Sequence, residues 1–493
     1  MWRKLPQLIC SEQNMKNSSL FERSQDRVCY DEYDCGLLRK WKEKPLIFCG
    51  EEETITEPPK SKFQLFKNIW RSSGKGDYKS NLVCYNFNNK HLPGGTKPHT
   101  VCKSQNLIID FSKLVHAECL RYRPNYFCKK PTYYNYNRGA LIGNCKFHDS
   151  RFNLDYFSKD FGKDIFSSFR SVDDLSPNEK LRISHNDVEI VTGTTLFIFR
   201  EQDEHVNLFH AISDFYAGYL ILEMFQTKNQ KLQVVLMDEH YEGFVDFLWN
   251  HTLSVSRPVV KASHFKGRPV RFENALFASS GYATPLFSSL KDFAINQHTC
   301  HSQVELIRSF ADMILSGLNI KKRRAQQGDL IKILFISRKP YQKDGVDHQY
   351  MARQITNEDD VVNAIKKHSR SKEFEVKKVD FVHYSLKEQI ELVHNSDFLI
   401  GFHGAGLTHT FFLPEGTSAL LEIWNSPRLE SWRCFEQITR WKGNAYHLWT
   451  NQDFRALEVN NSGDYLRIEI PSFMWSFNVL LDELVEMRQK HLR

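Results

Sequence analysis

The residue types with the most chemical promise cluster in one short stretch, Asp397 to Trp424. There His403 stands beside a glycine-flanked turn, Gly404-Ala405-Gly406, between two apolar runs, Phe398-Leu399-Ile400 and Ser418 to Trp424. Glycines at such a turn let a ligand approach the backbone closely, and a helix opening after them presents unpaired N–H groups. That combination is an anion site and predicts a phosphorylated ligand. Arg338 and Lys339 closely follow another apolar run, Ile331 to Ile336. An arginine forks onto two phosphate oxygens and a lysine adds a point charge, so the pair would meet a diphosphate from the side opposite the turn. Glu422 lies near the end of the run after the turn. It would accept hydrogen bonds from ribose hydroxyls, or stand as an exposed strand-end acid.

A second constellation lies earlier. Asn207, His210 and Asp214 are spaced by three and four residues, with Glu204 just ahead of them. On a helix they share one face, and a histidine with an aspartate one turn away is an oriented general base. A solvated polar face would show the same spacing. Asn207 and Glu204 are candidates for contact with a second substrate. Asp238-Glu239-His240 has the look of a metal-binding triplet, but the chemistry above needs no metal.

These residues require elements to hold them. Strands are predicted at 189–199, 232–237, 331–336, 374–381, 398–400 and 419–424. Helices are predicted at 205–224, 304–318, 361–367 and 386–394, with another opening after Gly406. Alternating short strands and helices imply a parallel sheet covered on both faces, whose ligands sit at the carboxyl ends of the strands. His403 and Arg338 both fall there. Lys321-Lys322-Arg323-Arg324 reads as a solvated interdomain linker. The expected organisation is therefore a cysteine-rich N-terminal extension over 1–180, an acceptor-side Rossmann-like domain over 181–325, and a donor-binding one over 326–493 with a C-terminal helix.

The chain of 493 residues is too long for one ordinary core, and its 41% hydrophobic and 25% charged residues mark it as globular. A net charge of +7 with dispersed Lys and Arg suits small anionic ligands and does not call for nucleic acid. All apolar runs are too short to span a membrane. Nine of the 11 cysteines lie between Cys10 and Cys145, without the close pairs of zinc sites. They predict a disulfide-stapled N-terminal region in an oxidising compartment, with at least one thiol left over. Sequons at Asn17, Asn250 and Asn460 agree with that compartment. Met1-Trp2-Arg3-Lys4 is followed by no apolar run, and Lys490-His491-Leu492-Arg493 is no retrieval signal, so neither address is visible and the ends are expected to be incomplete. The alternative is a cytosolic protein with free thiols.

ILFISRK (Ile333 to Lys339), SDFLIGFHGAGLTHTFFLPEG (Ser396 to Gly416) and LLEIW (Leu420 to Trp424) resemble glycosyltransferase family 61. The resemblance covers roughly 81–451, and its cysteine-rich front, with Asn81-Leu82-Val83-Cys84, is similar to members that act in the endoplasmic reticulum lumen. It implies an α/β fold of GT-B type, two facing Rossmann-like domains with a cleft between them. It implies inverting transfer of N-acetylglucosamine from UDP-N-acetylglucosamine to Ser or Thr of EGF-like domains in secreted or membrane proteins, with no cofactor required. Arg338, His403, Gly404 and Gly406 match the donor motif, with Lys339 and Glu422 beside it. Asn207, His210 and Asp214 fall on the helix that would face the cleft, Asp214 or His210 being the base. Other family activities, on O-mannose glycans or with a pentose, share the same motif. A non-catalytic sugar-nucleotide-binding module is a further alternative.

Overall fold

The computed structural model describes residues 9–10, 27–43, 45–50, 78–87, 99–116, 133–148, 163–183, 188–200, 207–227, 232–240, 242–278, 281, 284, 300, 303–323, 326, 328–339, 341–343, 346–348, 353–424, 434–451, 457–460 and 463–491. The fold is mixed α/β and is organised around two large sheets.

The first sheet gathers strands from both sides of residue 180. Helices α1 (Arg27–Tyr33) and α2 (Cys35–Lys42) precede strands β1 (Pro45–Cys49), β2 (Asn81–Phe87), β3 (His99–Asp110), β4 (Leu141–Gly143) and β5 (Arg170–Ser171). Then come β6 (Glu189–Ile198), helix α3 (Leu208–Met224), β7 (Leu232–Leu236), β8 (Val260–Lys261), β9 (Pro269–Phe277) and helix α4 (Glu305–Gly317). The order is β1-β2-β3-β9-β6-β7-β8, with β4 beside β3 and β5 beside β4. β9, β6, β7 and β8 run parallel, whereas β1, β2 and β3 are antiparallel and β3 pairs antiparallel with β9. The cysteine-rich front is thus no separate extension. It supplies the antiparallel half of a mixed sheet, and the strands within 181–325 supply the parallel half.

The second sheet follows expectation closely. It contains β10 (Ile331–Ser337), helix α5 (Glu358–Lys366), β11 (Phe374–Asp380), helix α6 (Leu386–His394), β12 (Phe398–Phe402), β13 (Ala419–Trp424), helix α7 (Cys434–Trp441), β14 (Ala445–Thr450) and helix α8 (Ile470–His491). All five strands are parallel, in the order β11-β10-β12-β13-β14. Leu334, Ile336, Leu399 and Leu420 pack into one core with α3, α4 and α7. Ile333, Phe335, Ile400 and Leu421 pack into another with Phe473, Phe477 and Leu480 of α8. Burial on both faces is why these strands read as unbroken apolar runs. The helix expected after Gly406 is a 3-10 helix, Ala405–Phe412.

The two sheets share the core that contains α3, α4, the 3-10 helix and α7. Disulfides Cys10–Cys35, Cys49–Cys145 and Cys84–Cys102 staple the front within itself, Cys29–Cys300 ties it to the segment ahead of α4, and Cys434 is a buried free thiol. The buried Asp34 carboxylate accepts from Cys35 N at 2.8 Å, Glu305 N at 2.8 Å and Leu306 N at 3.2 Å, so it serves the amino ends of α2 and α4 together. Arg323 corrects the solvated-linker expectation: it forks onto the buried Asp397 at 2.8 and 3.0 Å and ties the segment to the start of β12. Asn250 is exposed on the short helix Phe247–His251. Among the described residues no helix is long and apolar enough to cross a membrane.

Candidate active site

In the second sheet the strand order reverses between β10 and β12. Open parallel sheets bind ligands at that point, outside the carboxyl ends of the strands. β10 ends in Ser337 and is followed by Arg338, while β12 ends in Phe402 and is followed by His403. The Arg338 guanidinium lies against the α-carbon of Gly404, where any side chain would collide with its Nη1. Gly404 has φ of 153°, a conformation reserved for glycine, so both backbone and space demand its hydrogen. The 3-10 helix opens at the next residue, with its amino end on the same crevice. Its carbonyl end is held by the buried Lys442 ammonium, which donates to Phe411 O at 2.6 Å and Leu413 O at 2.8 Å. Burial pulls that lysine down to about 8.

Behind Arg338 stands Glu358 on the first turn of α5, itself buried. It accepts from Ser337 Oγ at 2.7 Å and Arg338 N at 3.4 Å, and Lys339 Nζ lies 3.1 Å from it. Lys339 therefore turns to Glu358, while the Arg338 guanidinium reaches the glycine turn.

His403 is buried, with Trp424 and Phe435 against its ring. Its Nδ1 bonds the Glu422 carboxylate, whose other oxygen accepts from Tyr446 Oη at 2.8 Å. Glu422 is 1% exposed with both oxygens occupied, which corrects its reading as a strand-tip group for ribose hydroxyls. The strand carries it one register position beneath the edge, where it orients the histidine instead. Arg353 Nη1 donates to His403 O at 2.9 Å. Its left-handed φ of 66° is uncommon for a non-glycine residue and marks local strain. Burial lowers the pKa of His403, Glu422 raises it, and Arg353 and Arg338 lower it further, so the ring is neutral near pH 7. His409, by contrast, is spent inside the fold: Nδ1 bonds Gly406 O at 2.9 Å, and burial holds it down to about 4.

The first sheet has its own reversal, between β6 and β9, and α3 begins just past it. Asn207 does not sit on a helix face. It caps α3, accepting from Phe209 N at 3.0 Å. Beyond its first turn, α3 is buried almost all round, so the solvated-face alternative is excluded. Asp214 is buried and accepts from Gly281 N at 2.9 Å, and Gly281 is pressed so close that a β-carbon would strike Ser213 and Asp214. His210 is half-buried on the preceding turn. A ring chain connects the two crevices: Phe209, next to His210, lies 5.8 Å from Phe435, which lies 5.1 Å from His403. Glu204 falls outside the described residues.

Asp238 and Glu239 are already committed. Arg200 forks onto Asp238 at 2.9 and 2.5 Å, and Glu239 accepts from Tyr134 Oη at 2.8 Å and from Ser263. Among the described residues the one grouping with metal-ligand spacing is Cys10, Asp34 and Cys35, whose sulfurs form a disulfide. Sequence reasoning missed Arg353, Tyr446 and Glu358. Asn207 ahead of an apolar run was legible as a helix cap, whereas Arg353 lies in a stretch without periodicity.

Residues 208–420, from α3 through the 3-10 helix into β13, match the family described as Glycosyltransferase 61. The chain is 25% identical over 459 residues to an EGF domain-specific O-linked N-acetylglucosamine transferase of Pan troglodytes, covering 90% of this chain and 72% of that one. A protein of the same description from Drosophila melanogaster is 28% identical, covering 71% of this chain and 62% of that one. The rice β-1,2-xylosyltransferase RCN11 (Oryza sativa) is 25% identical, covering 54% of this chain and 49% of that one. The chain thus spans less than two thirds of the length of the second and third of these relatives. The disulfides and these relatives are consistent with a protein of the secretory pathway.

Proposed function

We propose that this glycosyltransferase moves N-acetylglucosamine from UDP-N-acetylglucosamine to a Ser or Thr hydroxyl of an EGF-like domain, with inversion, in the endoplasmic reticulum lumen. In this reading the two sheets act as GT-B domains with the cleft between their switch points. The hydroxyl attacks the anomeric carbon as the bond to the UDP oxygen breaks, and Asp214 or His210 takes the hydroxyl proton. Negative charge grows on UDP, where Arg338 and the amino end of the 3-10 helix would stabilise it. Preorganised cations and N–H groups lower the barrier because they need no rearrangement when the charge appears.

The observation that carries this reading is the Arg338 guanidinium packed on Gly404 beside His403, at the reversal of a parallel sheet. The acceptor and the sugar rest on the EGF domain-specific relatives. The rice relative supports a second reading, transfer of xylose at the same site. The test is UDP release with folded EGF-like domains as acceptor and UDP-N-acetylglucosamine or UDP-xylose as donor. The first reading expects acceptor-dependent release from UDP-N-acetylglucosamine, and release from UDP-xylose alone replaces it with the second. Donor binding without turnover on any acceptor reduces the protein to a binding module.

A further inference from the structure

We propose that Glu422 and Tyr446 act through His403: they hold its ring with Nδ1 turned into the protein, so that binding of a nucleoside diphosphate is coupled to uptake of one proton by this imidazole. The inference rests on the donor-site reading above and assigns a role to residues that the reading does not use.

Glu422 is buried and accepts from His403 Nδ1 and from Tyr446 Oη, so Nδ1 must carry its proton. A neutral ring held this way has its lone pair on Nε2, on the edge opposite the one that Glu422 holds. A lone pair repels a phosphate oxygen, whereas a protonated Nε2 donates to it. Anion binding and ring protonation therefore favour one another.

The charged and titratable groups around the ring come from five elements. Arg338 follows β10, Arg353 precedes α5, Glu422 belongs to β13, Tyr446 to β14 and Cys434 to α7. Burial keeps the Tyr446 phenol and the Cys434 thiol neutral by raising both well above their ordinary values. The balance at the ring is thus two guanidiniums against one carboxylate, and burial tips it further toward neutrality. A diphosphate offsets both guanidiniums. One proton from solvent then adds to Nε2, and it returns to solvent when the nucleotide leaves.

The experiment is calorimetric titration of the full chain with UDP-N-acetylglucosamine, with UDP-xylose in parallel, near pH 7.5 in two buffers of different ionisation enthalpy. Neither donor carries a phosphate that titrates there. The expected result is uptake of about one proton, with affinity falling about tenfold per pH unit above neutrality. Glu422→Gln abolishes the uptake and flattens the pH profile, and Tyr446→Phe reduces affinity a few-fold with smaller uptake. A purely structural role for Glu422 would lower affinity at every pH and leave the profile unchanged. Should Glu422→Gln fail to fold, His403→Asn and Tyr446→Phe carry the test. Donor binding without proton uptake, or full uptake retained in Glu422→Gln or His403→Asn, overturns the coupling alone. Failure of both donors to bind overturns the donor-site reading as well.

Discussion

The two sheets end in crevices of opposite character. At the β10/β12 end, charged groups converge on a turn whose glycine leaves space, and each is braced from behind: Ser337 and the Arg338 backbone by Glu358, His403 by Glu422 and Arg353. At the β6/β9 end, polar groups serve the fold as well as any chemistry. Asn207 caps α3 and Asp214 holds Gly281, within a helix that is otherwise core. A site for a diphosphate must be rigid before its ligand arrives, since stabilisation of developing charge depends on preorganisation. The difference teaches that substitutions in the first crevice should cost chemistry, and those in the second should cost chemistry and stability together.

The largest effect belongs to Arg338→Ala. Transfer should fall about 10²–10³-fold, the usual cost of removing one preorganised charge-stabilising group. UDP release measures it, and an unchanged melting temperature confirms that only the site was touched. Gly404→Ala should approach that loss, because its methyl occupies the place of the Arg338 guanidinium. A fully active Gly404→Ala would break the account of the turn.

The second crevice is probed with His210→Ala and Asp214→Asn. The group that is the base should lose about 10²–10⁴-fold in kcat. Asp214→Asn should also lower stability by about 1–2 kcal/mol through the bond to Gly281 N, whereas half-buried His210 should cost little. Equal stability for both would erase the contrast between the crevices.

Much of the second sheet was legible because β10, β12 and β13 are buried on both faces and read as apolar runs between helices. Arg338 and His403 followed from the rule that ligands sit at carboxyl ends. The first sheet was harder. β3 finds β9 across more than a hundred residues, and antiparallel pairing at such separation leaves no local mark. Glu422 was misplaced because a strand position alone does not reveal what lies above it; Tyr446 on the next strand decided its role. Asp214 was read from helix spacing as part of a polar face, although its partner, Gly281, lies 67 residues away.

A smaller effect concerns the stapled front. Burial raises Asp34 to about 6 and Glu223 to about 7, while backbone N–H groups of 35, 305 and 306 on Asp34 and of 9 and 10 on Glu223 oppose the rise. Carboxyls with raised folded values contribute stability that is full below their unfolded pKa and is lost as pH rises through the folded one. These two carboxyls should therefore withdraw about 1–2 kcal/mol between roughly pH 6 and 8, while His394, His403, His409 and His447, lowered in the fold, add stability over the same range as unfolded imidazoles lose their protons, so the carboxyl contribution is read as the difference from a variant lacking both acids. Urea melts across that range measure it. Asp34→Asn with Glu223→Gln should remove the carboxyl contribution, so that the variant gains more stability than the parent as pH rises, while donor binding at the other crevice is unaffected.

The central claim is tested most directly by a crystal structure of the protein with UDP bound. The diphosphate should lie within hydrogen-bond distance of the Arg338 guanidinium, over Gly404 and the first amides of the 3-10 helix. Phosphates placed at any other part of the molecule would contradict it.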